Sequence, residues 1–134
     1  MDNNMIDKVA LIHISNKKIL STRSKGKDKF YLPGGKRERG ETDVICLRRE
    51  IREELSVDII ENSVRYFGTF EAAADGCEKN VIVQMSCYFA EFTGILTASN
   101  EIESFEWISF ADKNRTSAVD HLILQKLKDL KLID

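Results

Sequence analysis

Runs of apolar and β-branched residues separated by short polar steps set the expected elements. VALIHIS at 9–15 and KILSTRS at 18–24 flank a polar Asn16–Lys17 step, and the two runs predict a hairpin. FYLP at 30–33 reads as a short strand that stops at Pro33, the chain's only proline, because the ring removes a ladder donor. A charged, glycine-bounded loop follows. Thr42 is then placed as an N-cap, Asp43 suits the positive helix end, and a helix runs to about Leu55. VDII at 57–60 predicts a short strand, VRYFGTFEAAA at 64–74 a longer one, and DGCEKN at 75–80 a turn. VIVQMSCYFAEF at 81–92 is the longest apolar run, which predicts a central strand. SFEWISF at 104–110 predicts another strand. Val119, Leu122, Ile123, Leu124, Leu127, Leu130 and Leu132 fall mostly at helical spacing and predict a terminal amphipathic helix over 119–133. Strands dominate, with one helix mid-chain and one at the end. That order suggests a mixed sheet covered by helices, not a repeating βαβ unit.

Composition narrows the classes of function. At 134 residues the chain suits one domain over 1–134. Twenty basic residues against twenty-two acidic ones give a net charge of -2, which argues against a nucleic-acid polymer as partner. No apolar run approaches the roughly 20 residues of a membrane span, and MDNNMIDK lacks the basic start of a secretory signal. Cys46, Cys77 and Cys87 have no C-x-x-C spacing and only His13 and His121 to join them, so neither a disulfide framework nor a zinc site is indicated. Reduced thiols and a cytoplasmic location are the expectation.

The charge of the central helix is its unusual feature. LRREIREEL at 47–55 holds three arginines and three glutamates. With Glu50 at zero and about 100° per residue, Glu53 lies near about -60° and Glu54 near about +40°, so the three carboxylates share a face. Val44, Leu47, Ile51 and Leu55 form a separate apolar stripe, Arg48 and Arg52 point to solvent, and Arg49 stands beside the acids. Like charges at this spacing repel. A solvated helix face and a hard-cation site made of oxygen ligands both fit the helix alone.

The preceding loop, LPGGKRERGE, sets Lys36, Arg37 and Arg39 between Gly34, Gly35 and Gly40, a composition suited to polyphosphate, yet without a P-loop or dinucleotide fingerprint. Residues 35–57, GKRERGETDVICLRREIREELSV, resemble the Nudix box, G-x5-E-x7-R-E-U-x-E-E-x-G-U with U aliphatic. Gly35, Glu41, Arg49, Glu50, Ile51, Glu53, Glu54 and Val57 match, and Ser56 stands where the family usually has glycine.

The resemblance implies an α/β fold, an α/β/α sandwich with a mixed sheet, and hydrolysis of a nucleoside diphosphate linked to another group. By position it makes Glu50, Glu53 and Glu54 ligands of Mg2+ or Mn2+, with the Gly35 carbonyl a further ligand. Glu41 and Arg49 become partners that hold the loop and orient the acids. Ser56 is expected to adopt the left-handed turn at a small stability cost, leaving catalysis intact.

Outside the box, Glu101 is the first candidate for a further acid, ahead of Glu103. Arg23, Lys36 and Arg37 are candidate substrate contacts. Cys46 lies within the acidic face but is expected to be a small packing residue beneath the glycine loop. Phe30, Tyr31, Phe70, Tyr88, Phe105 and Trp107 are expected to be core rather than base platforms. The chain lacks the proline or tyrosine that typically follows the box in the ADP-ribose and dinucleoside-polyphosphate subfamilies. It looks more like MutT-type enzymes that convert a nucleoside triphosphate to the monophosphate and pyrophosphate. A nucleotide-sugar type conjugate is the alternative substrate, and a non-catalytic Nudix-derived binding module the alternative class. The small nucleotide is the expected partner, for a monomer or homodimer.

Overall fold

The computed structural model describes residues 5–74 and 81–134. The turn expected at 75–80, with Cys77, lies outside the described residues. The main sheet has four strands in the order β4 (Gly34–Lys36), β1 (Met5–Ile12), β7 (Ile82–Phe89) and β6 (Arg65–Ala73). β1 runs parallel to β7 and antiparallel to β4, so the sheet is mixed. β2 (Ile14–Ser15), β3 (Lys18–Ser24) and β9 (Ile102–Ile108) form a second sheet, and β5 (Asp58–Ile59) pairs with β8 (Phe92–Thr93). Among the described residues the α-helices are α1 (Asp43–Leu55) and α2 (Ala118–Asp129).

The apolar run VALI lies on β1, which is buried on both faces. Val9 and Leu11 pack with Cys46, Leu47, Ile51 and Leu55 of α1. Ala10 and Ile12 pack with Val119, Ile123, Leu124 and Leu127 of α2. Alternate residues of one strand thus serve two cores, which is why the run is continuously apolar instead of alternating. The result is the α/β/α sandwich. Each fully buried leucine or isoleucine stabilises it by about 1.5–3 kcal/mol.

Four expectations shift. The long hairpin reduces to a two-residue ladder between β2 and β3, because the chain leaves the main sheet at His13 and enters the second one. Phe30 and Tyr31 make only isolated bridges, and the strand begins after Pro33, at Gly34. The 81–92 run is central as expected but breaks after Phe89, so that Phe92 can pair with Ile59. α2 ends at Asp129, and Lys131 has φ 63. The reversal returns Ile133 to the α2-side core.

Candidate active site

Local sequence determines how α1 presents its charges. Thr42 caps the helix by accepting from the Ile45 N–H at 3.2 Å. Ser56 closes it in the left-handed region, φ 61, with its N–H on the Arg52 carbonyl at 3.1 Å. Arg48 pairs with Glu61 and Arg52 with Asp58, both on the exposed side.

Arg49 instead turns inward. Its Nε and Nη2 fork onto the two Glu41 oxygens at 2.6 and 2.9 Å. Nη1 reaches Glu50 at 2.8 Å and Glu53 at 3.4 Å, and Nη2 also donates to the Lys36 carbonyl at 3.1 Å. One guanidinium therefore ties the loop to two acids of the helix, a planar bidentate geometry that lysine cannot reproduce. The Arg49 fork, with a second hydrogen bond from the Glu38 N–H, lowers the Glu41 carboxyl to about 2. Cys46 is buried beneath the loop, 3.8 Å from the Gly35 carbonyl and 3.6 Å from that of Lys36. Burial pushes its thiol up to about 11, which makes it an inert packing residue.

The acids on the other flank of α1 reach the edge strand β4, where two glycines leave the backbone bare. A Cβ on Gly34 would lie 2.0 Å from the Val9 carbonyl oxygen, and Gly34 holds φ +146. A Cβ on Gly35 would lie 2.4 Å from the Glu50 carboxyl. Glu54 accepts the Gly34 N–H at 3.1 Å and is only 6% exposed. Burial raises its carboxyl to about 8. Burial also raises Glu50, against the opposing pull of Arg49. Neighbouring carboxylates, Glu101 among them, add to both shifts.

Across β4 opens a cleft of about 450 Å³, within the range of small-molecule sites. Glu50, Glu54, Glu101, Gly35 and Lys36 border it. Glu53 does not: its side chain is half exposed and turned to Arg49. Arg37 is held by Asp7 at 2.7 Å and by Asp43, and these ion pairs brace the loop outside the cleft. Arg23 pairs with Glu103 at 3.4 Å and donates to the Lys27 carbonyl. Its strand neighbours Thr22 and Ser24 line the cleft instead, because strand side chains alternate. Of the two loop acids, Glu101 thus borders the cleft and Glu103 neutralises an arginine.

Sequence reasoning missed several residues that the fold brings here. Lys8, Lys27 and Tyr31 line the cleft, so Tyr31 is not a core aromatic. Ser117, the α2 N-cap residue, makes no capping bond, and among the described residues its buried Oγ has no hydrogen-bond partner. The one available signal was Lys8, a lysine directly preceding the most apolar run of the chain.

The divalent cation implied by the box resemblance fits the residues present. Among the described residues, no three acidic, cysteine or histidine side chains converge into a ready cage. Glu50 and Glu54 nevertheless offer hard oxygen donors at a wall kept open by Gly35. One or two carboxylates completed by substrate phosphates is the usual protein share of a magnesium site.

The family model described as NUDIX domain matches residues 5–125. Among curated proteins, none matches the chain in sequence. Solved structures do. The E. coli ORF135 protein in solution superposes with a TM-score of 0.75 at 26% identity, covering 96% of this chain and 91% of its own. The MutT protein from Methanosarcina mazei Go1 gives 0.78 at 16% identity, covering 98% of both chains. A NUDIX hydrolase from Nitrosomonas europaea gives 0.72 at 18% identity, covering 94% and 88%. The last two speak to the fold alone. With the family match spanning nearly the whole chain, the protein belongs to the Nudix hydrolases.

Proposed function

We propose that the protein, acting as one Nudix domain over 1–134, hydrolyses a nucleoside triphosphate to the nucleoside monophosphate and pyrophosphate with Mg2+ or Mn2+. The observation that carries this reading is the pair Glu50 and Glu54, held at the wall of a nucleotide-sized cleft behind a side-chain-free strand. Glu54 is buried with a strongly raised carboxyl, a placement that costs stability unless a cation or proton compensates it.

With Glu53 turning from Arg49 to join them, Glu50, Glu54 and the Gly35 carbonyl would hold the cation at the cleft wall. Bound there, it would neutralise phosphate charge and lower the pKa of the attacking water. Arg49 positions Glu50 and Glu53 and is itself fixed by Glu41. Glu101, which borders the cleft, would act as general base toward water. Lys36 contacts the phosphate chain. The apolar part of the cleft, with Ile6, Leu32, Val83, Met85 and Val119, suits the nucleoside, and the spare Ser117 hydroxyl offers it a hydrogen bond.

The test is a hydrolysis screen over nucleoside triphosphates and nucleoside diphosphate conjugates, with magnesium, manganese or chelator. The expected outcome is pyrophosphate release that depends on the cation. Glu54→Gln and Glu53→Gln should abolish it while circular dichroism stays native. Wild-type turnover in either variant would remove the α1 acids from the reaction.

A further inference from the structure

Three lysines line the cleft, and among the described residues none of them forms an ion pair with a carboxylate. These are Lys8, Lys27 and Lys36. Three nearby arginines behave oppositely: Arg23 is held by Glu103, Arg37 by Asp7 and Asp43, and Arg49 by Glu41 and Glu50. These three guanidinium groups are committed to the scaffold, whereas the three ammonium groups form no such pairs among the described residues.

Lys8 has the least freedom of the three. β1 is an interior strand, with Lys8 in register with Lys36 on β4 and with Met85 on β7. Two lysines therefore stand directly opposite each other on one rung, an arrangement that destabilises a sheet by like-charge repulsion. Lys8 is also half-buried, on the face that carries Ala10 and Ile12 into the core. Its Nζ stands 5.5 Å from the centre of the Tyr31 ring, a cation–π contact that fixes the ammonium over the cleft. A requirement for folding alone would favour an apolar residue here.

Resting on the pyrophosphohydrolase reading above, we infer that Lys8 is a specificity-determining residue that, opposite Lys36, grips the terminal phosphate of a nucleoside triphosphate. The charge matches. An unsubstituted phosphoryl group carries about 1.5–2 negative charges near neutrality, and two opposed ammonium groups answer it. In a diphosphate conjugate the distal phosphoryl is capped by a neutral sugar and carries only the single charge of a diester, so the second lysine gains little. Lys8 thus biases the enzyme toward triphosphates, and the charge it also lends to Glu54 is common to both substrates.

The experiment compares Lys8→Met and Lys8→Arg with wild type in the full chain with magnesium. Each is assayed on ATP and on ADP-glucose, which share a nucleoside. Lys8→Met should lower kcat/KM for ATP by about 10–100-fold, the loss of a charge-assisted phosphate contact, mainly through KM. It should change ADP-glucose by less than about threefold, and Lys8→Arg should restore the ATP preference. The thermal midpoint of Lys8→Met should stay or rise, because the like-charge rung is relieved. Equal losses on both substrates, no loss on either, or a fallen midpoint with proportional losses in both variants would overturn the role of Lys8. Wild-type enzyme that cleaves ADP-glucose but not ATP would remove the substrate reading itself, and this inference with it.

Discussion

Gly35 and Glu50 meet with no space between them. A methyl group at 35 would lie 2.4 Å from the Glu50 carboxyl and would have to push it away from the cleft wall. Gly35→Ala is therefore expected to lower kcat/KM by about a hundredfold through misplacement of the proposed cation ligand Glu50, the scale of losses from small geometric errors at reacting groups. Global stability should drop by no more than about 1–3 kcal/mol, the usual range for local overpacking. Steady-state kinetics alongside urea unfolding would show it, and unchanged kinetics would mean that Glu50 need not stand where it does. Ser56 makes the opposite case. It holds φ 61 at the helix end, where a side chain costs roughly 1 kcal/mol, and its hydroxyl meets that of Ser99 at 3.2 Å. Ser56→Gly should raise unfolding free energy by up to about 1 kcal/mol, with the lost hydroxyl contact offsetting part of it, and leave turnover as it is. A destabilised glycine variant would show that the serine contact outweighs the backbone strain.

At the level of the element, α1 works as a lever set by Arg49. Its fork on Glu41 fixes the loop, and its third nitrogen reaches Glu50 and Glu53. Arg49→Lys keeps the charge and loses the fork, so kcat should fall by about 10–100-fold with the magnesium dependence shifted to higher concentration. A variant equal to wild type in both would reduce Arg49 to an ordinary ion pair. This helix was legible in the sequence because everything that defines it is local. Thr42 caps it, Leu47, Ile51 and Leu55 share its buried stripe, and Arg48 and Arg52 fall to solvent as their angular positions require. The opposite wall of the cleft was not legible. Lys8 lies more than a hundred residues from Ser117, and the parallel pairing of β1 with β7 has no local signature. Arg23 on its strand and Arg37 in the loop both suited a phosphate contact in sequence, yet their carboxylate partners come from other segments, which composition near the box could not reveal.

For the whole molecule, the raised Glu54 carboxyl couples stability to protons and, through the proposed site, to a cation. Its folded value of about 8 lies above the ordinary 4.5, so between these values the folded chain binds a proton that the unfolded chain releases. The stabilisation is complete below about pH 4.5 and is lost as pH rises through about 8. Glu50, shifted in the same direction by burial, adds to the loss. Glu41 and Asp112 act oppositely, since both are lowered: their contribution is present above the ordinary carboxylate range and is lost only as pH falls toward their folded values. The two windows do not overlap, so in the metal-free protein Glu54 and Glu50 favour the acid side of neutrality. With chelator present, unfolding free energy should then fall between pH 5 and 8 by an amount on the order of a few kcal/mol. At the proposed site magnesium would compete with that proton, so its stabilising increment should grow with pH over the same interval. Glu54→Gln removes the titrating group and should flatten both trends. Urea titrations at several pH values, with and without magnesium, measure all of this. A Glu54→Gln protein with the wild-type slope would show that some other group carries the linkage, and that the buried acid of α1 is not where proton and cation exchange.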